Sequence, residues 1–141
     1  MVTLVFINML VIALAVVVHY EFLSHASRLL PKLNVRPRQR IIVGVFTALI
    51  AHTVEIWIFA VVYYLENRDG RWGILTGNFN GSLLDCSYFS FTTYSTLGFG
   101  DIQPSGDLRF LTGLESLTGL VLITWSASFL YYEMTRQWSS G

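Results

Sequence analysis

Three long apolar runs dictate what this chain can become. Residues 2–18 carry no charge and only Thr3 and Asn8 as polar side chains. With the flank at 20–23 the run approaches the roughly 20 residues that cross a bilayer. Residues 41–65 would form a helix of about 37 Å at ~1.5 Å per residue, although His52 and Glu55 sit near its middle. The third run, 108–132, is interrupted only by Arg109 near its start and by Glu115. Aromatic pairs close two of the spans, Tyr63 with Tyr64 and Tyr131 with Tyr132, as expected at headgroup level. With 53% hydrophobic and only 13% charged residues, the chain reads as a membrane protein rather than a soluble domain.

Charge excludes other classes. Nine Lys and Arg balance nine Asp and Glu, so the basic surface of a nucleic-acid binder is missing and no nucleic-acid partner is expected. The single cysteine, Cys86, rules out a disulfide framework within one chain and any multi-thiolate metal site.

Orientation follows from the connector 24–40, which carries Arg28, Lys32, Arg36, Arg38 and Arg40 and no acid. The positive-inside bias puts this linker in the cytoplasm, the N-terminus and the 66–107 segment outside, and the C-terminus inside. A cleaved secretory signal is the competing reading of residues 1–23. No Lys or Arg precedes its apolar stretch, and cleavage would leave the basic connector on the wrong side. An extra N-terminal transmembrane helix is the better expectation.

Residues 66–81 (ENRDGRWGILTGNFNG) are rich in Gly and Asn without a clear period, and read as an exposed extracytoplasmic loop that builds no core. Asn80-Gly81-Ser82 matches a glycosylation triplet, a pattern too common by chance to carry weight. Then Ser82-Leu83-Leu84-Asp85 gives a helix start, a serine oxygen able to accept a backbone N–H three residues on. The helix predicted over 83–94 is about 18 Å long, too short to span. It suits a helix that descends halfway and turns back at Thr96-Leu97-Gly98-Phe99-Gly100-Asp101. Alternating glycines allow backbone conformations barred to other residues. Irregular backbone at membrane depth survives only where it lines water or is buried in protein.

Thr-Leu-Gly-Phe-Gly-Asp resembles the selectivity filter of the tetrameric potassium channels with a two-transmembrane pore domain, whose common form is Thr-Val-Gly-Tyr-Gly-Asp. The resemblance covers about residues 41–135, with outer helix (41–65), pore helix (83–94), filter (96–101) and inner helix (108–132) in the family order. The first span lies outside that unit. The resemblance implies a homotetramer embedded in membrane lipid, with K+ as the permeant ion and no further cofactor. Physically, four chains around an axis would stack rings of carbonyls that replace the water shell of the cation. The K+ ligands expected are the carbonyls of Thr96, Leu97, Gly98 and Phe99, with Gly100 above them and the Thr96 hydroxyl at the inner end. Asp101 caps the outer mouth. Thr92, Thr93 and Ser95 form the hydroxyl-rich support of the filter.

Two departures stand out. Phe99 lacks the phenolic hydroxyl that would tie the filter wall to its neighbour, and Leu97 is longer than Val and not β-branched. Where many family members place an acid on the pore helix, this chain has Thr92, so Asp101 needs another partner. Glu115, about two turns into the third span, is expensive in hydrocarbon unless paired or wet. It is expected to accept hydrogen bonds from the pore helix in place of that acid, or to pair with Arg109, or to stay protonated. His52 and Glu55 share one helix face. A mutual or inter-helix hydrogen bond, pH sensing through His52, and a metal site with too few ligands are the readings in descending order. Asn8 is expected to hydrogen-bond to a neighbouring helix. His19, Glu21 and His25 are spaced like ligands only by accident and read as interfacial residues. Gly119 aligns with the family's hinge glycine, close helix packing being the equal alternative. Ile123, Ala127 and Leu130 continue its face and are expected to line the path below the filter.

After Arg136 a short cytoplasmic tail, 136–141, is expected, without a ligand-binding module, and the first span lacks the repeated Arg or Lys of a voltage sensor. The fold expected is all-α, three transmembrane helices with one re-entrant pore loop, in a multi-pass protein of the cell membrane, a bacterial inner membrane for so compact a chain. The function expected is passive K+ conduction, not an enzymatic one. The alternatives are a weakly selective cation channel and a non-conducting membrane subunit.

Overall fold

The computed structural model describes residues 2–138. The end of the expected tail, Ser139, Ser140 and Gly141, lies outside the described residues. The chain is mostly helical, with helices α1 (Val2–Leu29), α2 (Pro37–Asp69), α3 (Leu83–Tyr94) and α4 (Leu108–Trp138), and two short strands, β1 (Leu75–Gly77) and β2 (Ile102–Pro104). Three helices are long and apolar enough to cross a membrane, over Val2–Lys32, Arg38–Asp69 and Leu108–Arg136.

All three long helices overrun the bounds expected from hydropathy. Helix α1 continues past residue 23 to Leu29 and passes into a 3-10 turn at Leu30–Lys32. Helix α2 starts at Pro37 rather than 41 and ends at Asp69 rather than 65. Helix α4 runs to Trp138 rather than 132. The reason is that hydropathy marks where a helix leaves hydrocarbon, whereas proline and glycine mark where it stops. Pro31 interrupts α1 and the second proline sits in the first turn of α2, where its missing N–H costs nothing. Gly70 ends α2 in the left-handed conformation, φ 68°, its N–H donating to the Glu66 carbonyl at 2.9 Å. The expected linker 24–40 therefore shrinks to a few non-helical residues between two basic helix ends.

Helix α1 presents one buried stripe, Leu4, Asn8, Val11, Ala15, His19, Leu23 and Ala26. Steps of three and four residues keep these on one face. Small Ala15 and Ala26 let α1 lie close against its neighbours, as helices in membranes require. The stripe joins a core in which Val11 and Ala15 meet Ile56, Phe59, Ala60 and Tyr63 of α2, Cys86, Phe89 and Tyr94 of α3, and Leu108 and Leu111 of α4. Tyr63 and Phe89 stack edge to face with ring centroids 5.0 Å apart.

The 66–81 segment departs from the coreless loop expected of it. Strand β1 pairs antiparallel with β2 in the register Leu75↔Pro104, Thr76↔Gln103 and Gly77↔Ile102. Leu75 and Ile102 are both buried in the core. The pairing demands glycine at Gly77, φ 100°, where a Cβ would stand 2.2 Å from the Asp101 carbonyl oxygen. The residues that follow Asp101 are thus clamped to the segment before α3.

Candidate functional site

The site is built on α3. Its first turn is capped by Ser82, whose hydroxyl accepts the Asp85 N–H at 3.1 Å, while the Asp85 carboxylate accepts the Asn80 N–H at 2.8 Å. Its last turn is fastened by the segment that follows. The Thr93 carbonyl accepts the Thr96 N–H at 2.9 Å and the Ser116 hydroxyl at 3.0 Å, and the Thr92 carbonyl accepts the Gly98 N–H at 2.9 Å. Thr92 and Ser95 turn their hydroxyls onto the backbone carbonyls of Phe89 and Phe91, at 2.9 and 2.6 Å.

From that anchor the backbone alternates. Thr96, Gly98 and Gly100 have φ of 60°, 52° and 79°, with Leu97 and Phe99 between them outside the positive-φ region. Thr96 is the only non-glycine residue with positive φ among the described residues. For a β-branched side chain this is strained backbone, held only because its surroundings over-determine it. Among the described residues no hydrogen bond is donated to the carbonyls of Thr96, Leu97, Gly98 or Phe99. The Gly100 carbonyl differs from these four: the Gln103 side-chain amide donates to it at 3.1 Å. The side chains of Leu97 and Phe99 are exposed on the single chain, 59% and 65%. Asp101 finds its partner in Tyr88, whose hydroxyl donates to the carboxylate at 2.9 Å. That bond, foremost, pushes the Tyr88 phenol above its ordinary pKa.

Behind α3 lies Glu115 of α4, fully buried. It accepts from the Ser90 hydroxyl at 2.5 Å and from the Tyr63 hydroxyl at 2.6 Å. Its partners are thus α3 and α2 rather than Arg109. Gly119, one turn further, abuts the end of α3: a Cβ there would stand 2.1 Å from the Tyr94 carbonyl oxygen. This contact fits the close-packing reading of the glycine. Of the residues expected to continue its face, Ile123 and Ala127 are exposed on the chain. Leu130 instead packs against α2, its Cδ2 3.1 Å from where a Cβ on Gly44 would sit.

The second polar cluster is larger than expected. Glu55 is fully buried and meets His52 at 3.1 Å and the Tyr94 hydroxyl, and also His19 of α1 at 2.8 Å. His19 is buried completely, which corrects its reading as an interfacial residue. Glu21 and His25 do remain exposed. The spacing of Ala15, His19 and Leu23, four residues apart, is the signal that could have placed His19 on the inward face. Asn8 is buried on the same stripe, but its amide Nδ2 has no partner among the described residues, unlike the inter-helix bond expected. Tyr63, expected at headgroup level, is instead fully buried in the core; it carries the site's hydrogen bonds together with Ser90, Tyr88 and Tyr94, which sequence reasoning had not singled out. On α4, buried Glu133 pairs with Arg136 at 2.8 Å.

Comparison with known proteins finds a family model and several curated relatives. A family model described as ion channel matches residues 51–136, from the middle of α2 through α4. The inward rectifier potassium channel Kirbac3.1 of Paramagnetospirillum magnetotacticum is 39% identical over 57 residues, 40% of this chain and 19% of that protein. Two-pore potassium channel 4 of Arabidopsis thaliana is 36% identical over 78 residues, 55% of this chain and 24% of its own length. The potassium channel protein kcv of Paramecium bursaria Chlorella virus 1 is 33% identical over 55 residues, 38% of this chain and 58% of that protein. The chain thus spans under two thirds of each of these relatives. No solved structure matches it. With a family match over more than half its length and three helices long and apolar enough to cross a membrane, the chain belongs to the ion channel family.

Proposed function

We propose that four copies of the chain form a potassium-selective channel in which α3 is a re-entrant pore helix and residues 96–101 are the filter. The observation that carries this reading is the set of four consecutive unengaged carbonyls, Thr96 to Phe99, in backbone of alternating φ at the C-terminal end of α3. A carbonyl without a donor is costly in a dry setting. A desolvated cation shared by four chains supplies the missing partner. The Thr96 hydroxyl completes the inner end. The negative end of the α3 dipole adds a modest attraction for a cation in the cavity below.

One chain leaves Leu97 and Phe99 exposed, and cyclic assembly of four would cover them. The Tyr88–Asp101 contact and the β1–β2 clamp hold the outer end of the filter, and Glu115 holds the helix behind it. In this reading the basic ends of α1 and α2 face the cytoplasm, and the four filter carbonyls, not a catalytic group, do the work of passive transport. Its relatives are named potassium channels, which supports K+ as the ion.

The test is reconstitution of the purified chain in a planar bilayer with K+ on one side and Na+ on the other. A reversal potential near the K+ equilibrium value is expected. Clear current reversing near zero would favour a weakly selective pore, the reading that the missing hydroxyl at Phe99 suggests. No current at several pH values would overturn the channel assignment in favour of a non-conducting subunit.

A further inference from the structure

The carboxylate of Glu55 is held by two imidazoles from two different helices. His19 Nδ1 on α1 lies 2.8 Å from one oxygen and His52 Nδ1 on α2 lies 3.1 Å from the other. One donor atom from each of the three residues falls within 4.8 Å of the others. His19 and Glu55 are fully enclosed, and the His52 side chain is 14% exposed. Among the described residues no Lys or Arg reaches this carboxylate; its ion-pair partners are the two histidines. A buried carboxylate without a permanent cation is costly. The groups gathered around it are those that bind borderline divalent metals, two nitrogens and one oxygen. The pair His52 and Glu55 has too few ligands alone, and His19 supplies the third.

We propose that His19, His52 and Glu55 form a binding site for a divalent transition metal ion of the zinc type, fastening α1 to the pore domain. For Nδ1 to ligate, each imidazole must be neutral with its remaining proton on Nε2. His19 Nε2 lies 3.5 Å from the Ser126 hydroxyl on α4, an oxygen placed to take that N–H and fix the ring. The fourth position belongs to water or to the Tyr94 hydroxyl, which already lies 3.0 Å from His52 Nδ1. An ion here also competes for the carboxylate oxygen that accepts from Tyr94. Tyr94 is the last residue of α3, two before Thr96, so occupancy would bear on the filter. That last step alone rests on the channel reading.

The experiment uses the full chain purified in detergent, stripped with chelator and titrated with Co2+, then with Zn2+. One Co2+ per chain is expected, with visible d–d absorption that Zn2+ abolishes. His19→Ala and His52→Ala should each weaken binding by at least about tenfold. His25→Ala, altering an exposed histidine outside the cluster, should leave it unchanged. His19→Cys, which keeps a ligand at that position, should restore binding and so separate ligation from folding. Binding that is no tighter than in the His19→Ala/His52→Ala double variant would overturn the site and leave a purely hydrogen-bonded cluster. The titration is independent of current: a chain that binds Co2+ but conducts nothing would overturn the channel reading and leave the metal site standing.

Discussion

The Ser90 hydroxyl on α3 donates to the Glu115 carboxylate on α4 at 2.5 Å, and the Tyr63 hydroxyl on α2 donates to the same group at 2.6 Å. One buried acid therefore ties together α2, α3 and α4 beside the proposed filter. Glu115→Gln keeps the shape but replaces one acceptor oxygen with an amide N–H, which a facing hydroxyl can accept only by turning its own proton elsewhere, as Ser90 can toward the Ile56 carbonyl at 2.9 Å. Glu115→Ala removes both acceptors. An orphaned buried donor costs roughly 1–3 kcal/mol, so the alanine variant should lose more stability than the glutamine variant. Thermal unfolding of the detergent-solubilised protein reads this order. Bilayer recordings that find Glu115→Gln conducting as the unaltered chain does would show that the acid is dispensable to the filter.

Gly119 provides a steric test. A Cβ would lie 2.1 Å from the Tyr94 carbonyl oxygen, backbone at the C-terminal end of α3 that leads directly into residues 96–101. Gly119→Ala should cost about 1–3 kcal/mol by overpacking. Gly113→Ala, on the same helix with open space around the site within the chain, should be neutral or gain up to ~1 kcal/mol from helix propensity. If the two variants melt together, the contact between α4 and the end of α3 has room for a methyl group and the packing described at Gly119 is wrong.

Much of this architecture was legible because it rests on local signals. The three spans announce themselves by length and apolarity, and Ser82 with Asp85 marks a helix start within three residues. The alternating glycines require no partner to be noticed. What stayed hidden depends on long-range phase. His19 meets Glu55 across 36 positions, which only the rotation of α1 about its axis decides. Strand β1 offers three residues, too few for a period, and its partner lies beyond α3. Tyr63, Ser90 and Tyr88 look like ordinary apolar-span or pore-helix residues until the helices that face them are placed.

Cys86 offers a chemical probe of the α3 packing. The thiol is fully buried, and burial, with the nearby Asp85 charge adding, pushes its pKa up to about 11. The reactive thiolate is therefore scarce at neutral pH. Maleimide at pH 7.5 should label the native protein far more slowly than the unfolded chain, with rates rising together only in denaturant. Rapid labelling of native protein would mean that α3 is not seated against α2 as described.

The strained backbone at Thr96 separates a conformational role from a chemical one. At φ 60° a glycine would sit without strain, so Thr96→Gly should keep the fold, yet it deletes the hydroxyl proposed as the innermost K+ ligand. The expected outcome is retained assembly with a reversal potential shifted toward zero under K+ against Na+. Selectivity equal to that of the unaltered chain would remove the hydroxyl from the ligand set.

The outer clamp has its own pH signature. The Tyr88 hydroxyl donates to Asp101 at 2.9 Å, and this bond raises the phenol's pKa above its ordinary value near 10. A group whose folded pKa is raised contributes fully below its unfolded pKa, and the contribution is lost as pH climbs through the folded one. The clamp should therefore hold unchanged between pH 6 and about 9 and fail only above pH 10. Selectivity measured across that neutral window should be flat in this respect. Tyr88→Phe, which lacks the donor at every pH, should weaken selectivity throughout, since nothing else among the described side chains holds the Asp101 carboxylate. A Tyr88→Phe channel indistinguishable from the unaltered one at pH 7 would mean that the backbone clamp from Asn78 to the Asp101 carbonyl, at 2.8 Å, suffices to hold the outer mouth.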